Sequence, residues 1–357
     1  MVAISTGRMV RIEGDRSARA RGLAVLLVGL LIAVSLASLG WGATDTSLSG
    51  VLRDLLSGRP ISQQDSIVML QIRLPRLVTG ILVGAALAMS GAIMQGLFRN
   101  PLADPGLVGV SAGASLGAVA AIVLGGALPA SMAAVFGWYL TPVAAFVGSW
   151  LCTILLYRIA TRRGRTSVAT MLLAGIALAA MIGAVTGIII YKANDAQLRD
   201  LTFWGLGSLG GASWPKVTAA APVILLALLA GPWLARGLNG LALGEAAAAH
   251  VGIRVQRVKN AAILTVAGAV GASVAISGGI GFVGIVVPHL LRLVSGPDHR
   301  WLLVNSGLLG ASLLLLADMI SRSVVAPAEL PIGIITAVIG GPFFMWVLLR
   351  NRGVLDL

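Results

Sequence analysis

Three glycine-framed patterns in this chain have the spacing of reactive or ligand-binding turns. Gly109-Val-Ser-Ala-Gly113 fits G-x-S-x-G, in which a strand-to-helix turn presents a serine hydroxyl to a histidine base. Here it opens an apolar run, and none of His250, His289 and His299 has an evident route to Ser111. Gly205-Leu-Gly-Ser-Leu-Gly210 and Gly279-Ile-Gly-Phe-Val-Gly284 fit G-x-G-x-x-G, but neither sits in a strand–turn–helix unit with a downstream acid. Both read better as bends or close helix contacts. A phosphate-binding P-loop needs Lys followed by Ser or Thr, and Lys192, Lys216 and Lys259 precede Ala, Val and Asn. ATP hydrolysis by that route is excluded. Cys152, the only cysteine, lies in an apolar run and is expected to be a small buried hydrophobe; no HExxH or cysteine cluster suggests a metal site.

The remaining chemistry lies in charges set among apolar residues. Arg73 and Arg76 share an Arg-Leu-Pro-Arg turn, and Asp318 precedes Arg322 by four residues, so those two can pair on one helical face. The 13 acidic residues otherwise fall in expected loops. Carriers driven by protons or sodium keep ionisable groups near the bilayer midplane. With no evident candidate there, the energy is expected to arrive from a partner, and a proton-coupled secondary transporter is the more remote alternative.

The elements that would position these residues are membrane helices. The chain is 57% apolar and 11% charged, with mean hydropathy +0.95, too little charge to cover a soluble protein of 357 residues. The fold class is all-α, with about ten spans near 23–40, 70–98, 106–125, 136–158, 167–191, 214–235, 258–277, 279–295, 301–321 and 331–349. Residues 23–350 form one transmembrane domain, between a 1–22 N-terminal segment and a 351–357 tail. The net charge of +13 would suggest nucleic acid in a soluble chain. Here most of the basic residues fall on one side of a ten-span arrangement, which places both termini in the cytoplasm and gives the charge to the membrane surface. Gly80/Gly84, Gly113/Gly117 and Gly183/Gly187 have the small-xxx-small spacing of closely packed helices. Ala88-Met-Ser-Gly-Ala-Ile93 faintly echoes Ala275-Ile-Ser-Gly-Gly-Ile280.

Arg73-Leu-Pro-Arg76, Gln95-Gly-Leu-Phe-Arg-Asn-Pro-Leu-Ala-Asp-Pro-Gly106, Leu243-Gly-Glu-Ala-Ala-Ala-Ala-His-Val-Gly252, Gly281-Phe-Val-Gly-Ile-Val-Val-Pro-His-Leu-Leu-Arg292 and Ala328-Glu-Leu-Pro-Ile-Gly-Ile-Ile-Thr-Ala337 occur in this order. Together they resemble the FecCD/vitamin B12-type (type II) ABC importer permease subunits. The stretch Gln197–Gly211 is closest to the bacterial haem branch. The resemblance implies a homodimer in the inner membrane, two cytoplasmic ATPase subunits that use the ATP, and a periplasmic binding protein. It implies no cofactor on this chain and haem as the transported substrate, with a ferric siderophore or vitamin B12 as the alternative. It further implies docking of the binding protein by Arg73, Arg76 and Arg322. Coupling to the ATPase falls to Leu243, Gly244, Glu245, Ala248, His250 and Gly252 within a loop of about 237–257. The cytoplasmic gate falls to Asn100, Leu102, Ser167, Val168 and Ala169, the last three less hydroxyl-rich than expected for the family.

Overall fold

Each long apolar run folds as a helix, since a chain in hydrocarbon must satisfy its own backbone hydrogen bonds. The computed structural model describes residues 16–350 apart from 43–46, 59, 61, 128, 130–135, 164 and 327. Residues 1–15 of the expected N-terminal segment and the expected 351–357 tail lie outside the described residues. The order is α1 (Ser17–Gly40), α2 (Leu48–Leu56), α3 (Gln63–Phe98), α4 (Val110–Leu124), α5 (Leu140–Ala160), β1 (Thr161–Arg162) and β2 (Arg165–Thr166). Then follow α6 (Val168–Ile190), α7 (Asp195–Leu206), α8 (Trp214–Ala242), α9 (Glu245–His250), α10 (Val255–Ser277), α11 (Val283–Ser295), α12 (His299–Ser323) and α13 (Ile332–Arg350). Among the described residues seven helices are long and apolar enough to cross a membrane, and α4, α11 and α13 are shorter apolar helices. Those ten match the expected spans one for one.

Helix α3 is the core of the molecule, 89% buried over its most apolar window. It packs along α12 and is flanked by α8, α10 and α11. Glycine permits this approach: a methyl on Gly84 would collide with the Gly310 carbonyl, and one on Gly113 with the Gly148 carbonyl between α4 and α5. The third expected pair behaves differently, because Gly183 and Gly187 on α6 have no neighbour within 4 Å of an added methyl.

Proline shapes the start of α3. Pro75 has no N–H to close the helical ladder, and residues Ile67–Arg73 widen into a π turn in which the Leu74 N–H reaches back to Met69 O. Leu70 O then has neither its α-helical nor its π-helical donor, and it accepts from Trp214 Nε1 at 2.7 Å. Both glycine patterns are bends, as their sequence context suggests. Gly207 (φ 70°), Gly278 (φ 71°) and Phe282 (φ 68°) are left-handed. Ser208 N donates to Ser277 O at 2.8 Å and Ile332 N to Gly207 O at 3.0 Å, so the two bends meet where α7, α10 and α13 come together.

Candidate functional site

At one end of the helices, α1 stops with unpaired carbonyls, as every helix does. Two guanidinium groups take them up: Arg73 Nη1 donates to Leu39 O at 2.6 Å, and Arg322 Nη1 to Trp41 O at 3.0 Å. Positive charge at a helix C-terminus is favoured by the backbone dipole. The third arginine, Arg76, is saturated by carboxylates. Its Nε and Nη2 donate to Asp318 at 2.9–3.1 Å, while Nη1 and Nη2 donate to Glu329 at 2.7 and 3.0 Å. Asp318 also faces Arg322 Nε at 3.2 Å, an ionic contact one helical turn long without hydrogen-bond alignment.

The structure thus brings Arg73, Arg76 and Arg322 together, with Arg76 and Arg322 in a network with two carboxylates of the same chain. Arg73, Arg76 and Asp318 are buried, while the Glu329 side chain is 40% exposed and forms the outer edge. The Asp318–Arg322 pair is visible in the sequence from its spacing. Arg76 and Asp318, 242 positions apart, and Glu329 are not; the one hint is that Glu329 is the lone charge in its apolar motif.

At the opposite end, the connection from α8 to α10 is shorter than the expected 237–257. Leu238 and Leu241 are buried and carry α8 on to Ala242, and α10 already begins at Val255. Between them Gly244 (φ 102°) and Gly252 (φ 82°) supply left-handed turns on either side of the six-residue helix α9. Ala248 is buried under α9, His250 Nδ1 contacts Ala246 O at 2.7 Å, and Leu243 and Val251 are exposed on either flank. Glu245 stands at the N-terminal end of α9, where the dipole favours it, and pairs with Lys259 Nζ at 2.7 Å.

The expected gate residues lie at this same end. Asn100 closes α3 in an Asx turn, its Oδ1 accepting from Leu102 N at 2.9 Å after the left-handed Arg99. Ser167 is the N-cap of α6, accepting from Thr170 N at 3.2 Å, and Val168 and Ala169 form the first turn. A methyl on Gly244 would lie 3.8 Å from Arg99 Nη1, so the α9 connection borders the α3 turn. It reaches the α6 start through Lys259, which is inside α10 and buried. Its Nζ donates to Thr166 O at 2.8 Å. Sequence reasoning sets Lys259 at the start of the expected 258–277 span and misses this role.

Between the two ends, a cavity of about 320 Å³ is lined by Asp104, Ser111, Ser115, Trp204 and Phe282, among others. No histidine lines it, so Ser111 has no base there. Burial pushes the Asp104 carboxyl above the usual carboxylate range, partly offset by the Gly106 N–H it accepts at 2.7 Å. His289 packs edge-on against Phe343, and His299 Nδ1 lies 2.8 Å from Asn239 Oδ1. With His250 on the exposed α9, the three imidazoles point to no common centre.

Comparison with known proteins shows the family and the fold. Residues 30–350 match the model of the FecCD transport family. The hemin transport system permease protein HmuU of Yersinia pestis is 44% identical over 332 residues, covering 92% of this chain and 96% of that protein. The vitamin B12 import system permease protein BtuC of Escherichia coli O6:H1 is 44% identical over 303 residues, 83% of this chain and 88% of its own length. Among solved structures, an inward-facing metal-chelate type ABC transporter superposes with TM-score 0.80 at 31% identity, covering 92% of this chain and 99% of that one. PsaBC from Streptococcus pneumoniae shares the fold at TM-score 0.55 and 17% identity, over 80% of this chain and 94% of its own.

Proposed function

Because the chain belongs to the FecCD transport family, we propose that it is the homodimeric inner-membrane permease of an ATP-driven importer that brings haem into the cytoplasm. A periplasmic binding protein docks at the Arg76 end, where Arg76 and Arg322 meet Asp318 and the part-exposed Glu329. Two cytoplasmic ATPase subunits engage the exposed Leu243 and Val251 around α9 at the other end, with both termini on that side. ATP-driven movement of α9 opens the turns at Asn100–Leu102 and Ser167–Ala169, and substrate passes by alternating access. The ATP is used by the partner, and this chain holds no cofactor of its own.

The observation that carries this reading is the separation of the two polar assemblies to opposite ends of the same helices, with the cavity at Asp104 and Trp204 between them. Haem is favoured as substrate by the likeness to a hemin permease over nearly the full length of both chains. A flat apolar ring with two carboxylates also suits a Gly- and Ala-rich path with arginine at its mouth. The test is uptake into proteoliposomes holding this chain with its partner ATPase and a loaded binding protein. Haem accumulation that needs both partners supports the whole reading. Accumulation of a ferric siderophore or vitamin B12 instead keeps the mechanism and replaces the substrate, while uptake without the ATPase overturns the mechanism.

A further inference from the structure

We infer that Lys259 is a positioning residue that joins the ATPase-facing helix α9 to the start of α6, so that the two move as one unit. The inference rests on the proposed roles of these segments. Lys259 is 4% exposed, and an ammonium so buried is costly unless it is paired and hydrogen-bonded. Its two partners belong to different elements: the Glu245 carboxylate on α9 at 2.7 Å, and the Thr166 carbonyl on β2 at 2.8 Å. Helix α10 holds Thr166 by its other polar atoms as well. Gln256 Oε1 accepts from Thr166 N at 3.0 Å, and Gln256 Nε2 donates to Thr166 Oγ1 at 2.6 Å. Gln256 is itself fixed by Asn260, which accepts from Gln256 Nε2 at 2.7 Å and from Tyr157 Oη at 2.9 Å.

Thr166 immediately precedes Ser167, the cap of α6. A pull on α9 that took Glu245 alone would strand the buried charge without its counter-ion. Displacement therefore has to carry Lys259 along, and with it the backbone that begins the gate. Lysine suits this work: its flexible stem spans two elements, and its head is a point charge with three donors.

The experiment is reconstitution of the full transporter with hemin as the offered substrate, reading hemin taken up per ATP hydrolysed. Lys259→Met keeps the unbranched stem and removes the charge. The ATPase is expected to bind and hydrolyse ATP as with the wild type, while uptake per ATP falls roughly ten-fold, within the range of a site-to-site coupling. Lys259→Arg should restore most of the ratio, since a guanidinium can reach both acceptors. Glu245→Gln should lower it in the same direction, and the double variant should be no worse than Lys259→Met alone, because both remove one link. An unchanged ratio in Lys259→Met, or additive losses in the double variant, overturns the inference. Should Lys259→Met fail to assemble, Glu245→Gln decides: a wild-type ratio there also overturns it. Wild-type liposomes without ATP-dependent uptake of hemin, a ferric siderophore or vitamin B12 would instead remove the functional reading, and the inference with it.

Discussion

Asp318 bears two guanidinium groups on one carboxylate, and that asymmetry sets what each member of the network contributes. Removing a buried partner leaves uncompensated charge, so Asp318→Ala should destabilise the protein by about 3–5 kcal/mol. Glu329 is 40% exposed, its pairing is screened, and Glu329→Ala should cost less than about 1 kcal/mol. Thermal unfolding of the two variants in detergent checks the order; equal losses would mean that Glu329 is as enclosed as Asp318. The same geometry bears on docking. Asp318 occupies the inner edge of Arg76, so an acidic partner can reach that guanidinium only from the edge held by Glu329. Glu329→Gln should therefore tighten binding-protein docking by roughly ten-fold, as relief of one like-charge contact allows. Weaker docking by titration would show that Glu329 itself receives the partner. Of this cluster, sequence spacing reveals only Asp318–Arg322, because helical periodicity reports neighbours four apart and nothing about residues 242 apart. Lys259 stays hidden for the same reason: its partners lie on α9 and β2, and a lysine next to a basic loop reads as one more membrane-surface charge.

Helices are the best-read level of this molecule, and the reason is physical. A span must be apolar and self-bonded, so hydropathy read with the turn residues finds all ten, including α4 and α11 with their glycine and proline. Their ends are less legible. The α8 helix outruns its expected stop at 235 and reaches Ala242, since Leu238 and Leu241 have core to pack against and Gly237 and Gly240 accommodate Val258 and Ile253. The π turn before Pro75 is equally silent in the sequence, although the proline that requires it is plain. Glycine spacing is informative where a partner helix is present. Gly113→Leu on α4 would drive a side chain into the Gly148 carbonyl and Cys152, contacts that cannot yield without moving α5. We expect a loss of about 3 kcal/mol or more from overpacking, seen as a lowered melting temperature and poor recovery of folded protein. A variant as stable as the wild type would mean that α4 and α5 separate without cost.

At the scale of the whole molecule, α6 is the least covered of the seven long apolar helices among the described residues. Only 11% of its most apolar window is buried, against 89% for α3, and Leu173, Ile176, Met181, Val185 and Ile188 are all exposed. Lipid would account for the large side chains but gives no reason for Gly183 and Gly187 beside them, since hydrocarbon gains nothing from a small residue. Another helix does, because glycine lets backbones approach to within van der Waals distance. We propose that a second copy of the chain occupies this small-xxx-small face, which would set one such helix on each side of a homodimer axis. Gly183→Leu separates the cases cleanly, because an added side chain meets nothing within the protomer. The unfolding free energy of the isolated protomer should stay within about 0.5 kcal/mol of the wild type, as for a substitution away from packed neighbours. Light scattering in mild detergent should then show the dimer dissociation constant rising roughly ten-fold, the effect of about 1.4 kcal/mol at an interface. A dimer that survives both Gly183→Leu and Gly187→Leu would place this face against lipid or the substrate path, and the subunit contact on another helix.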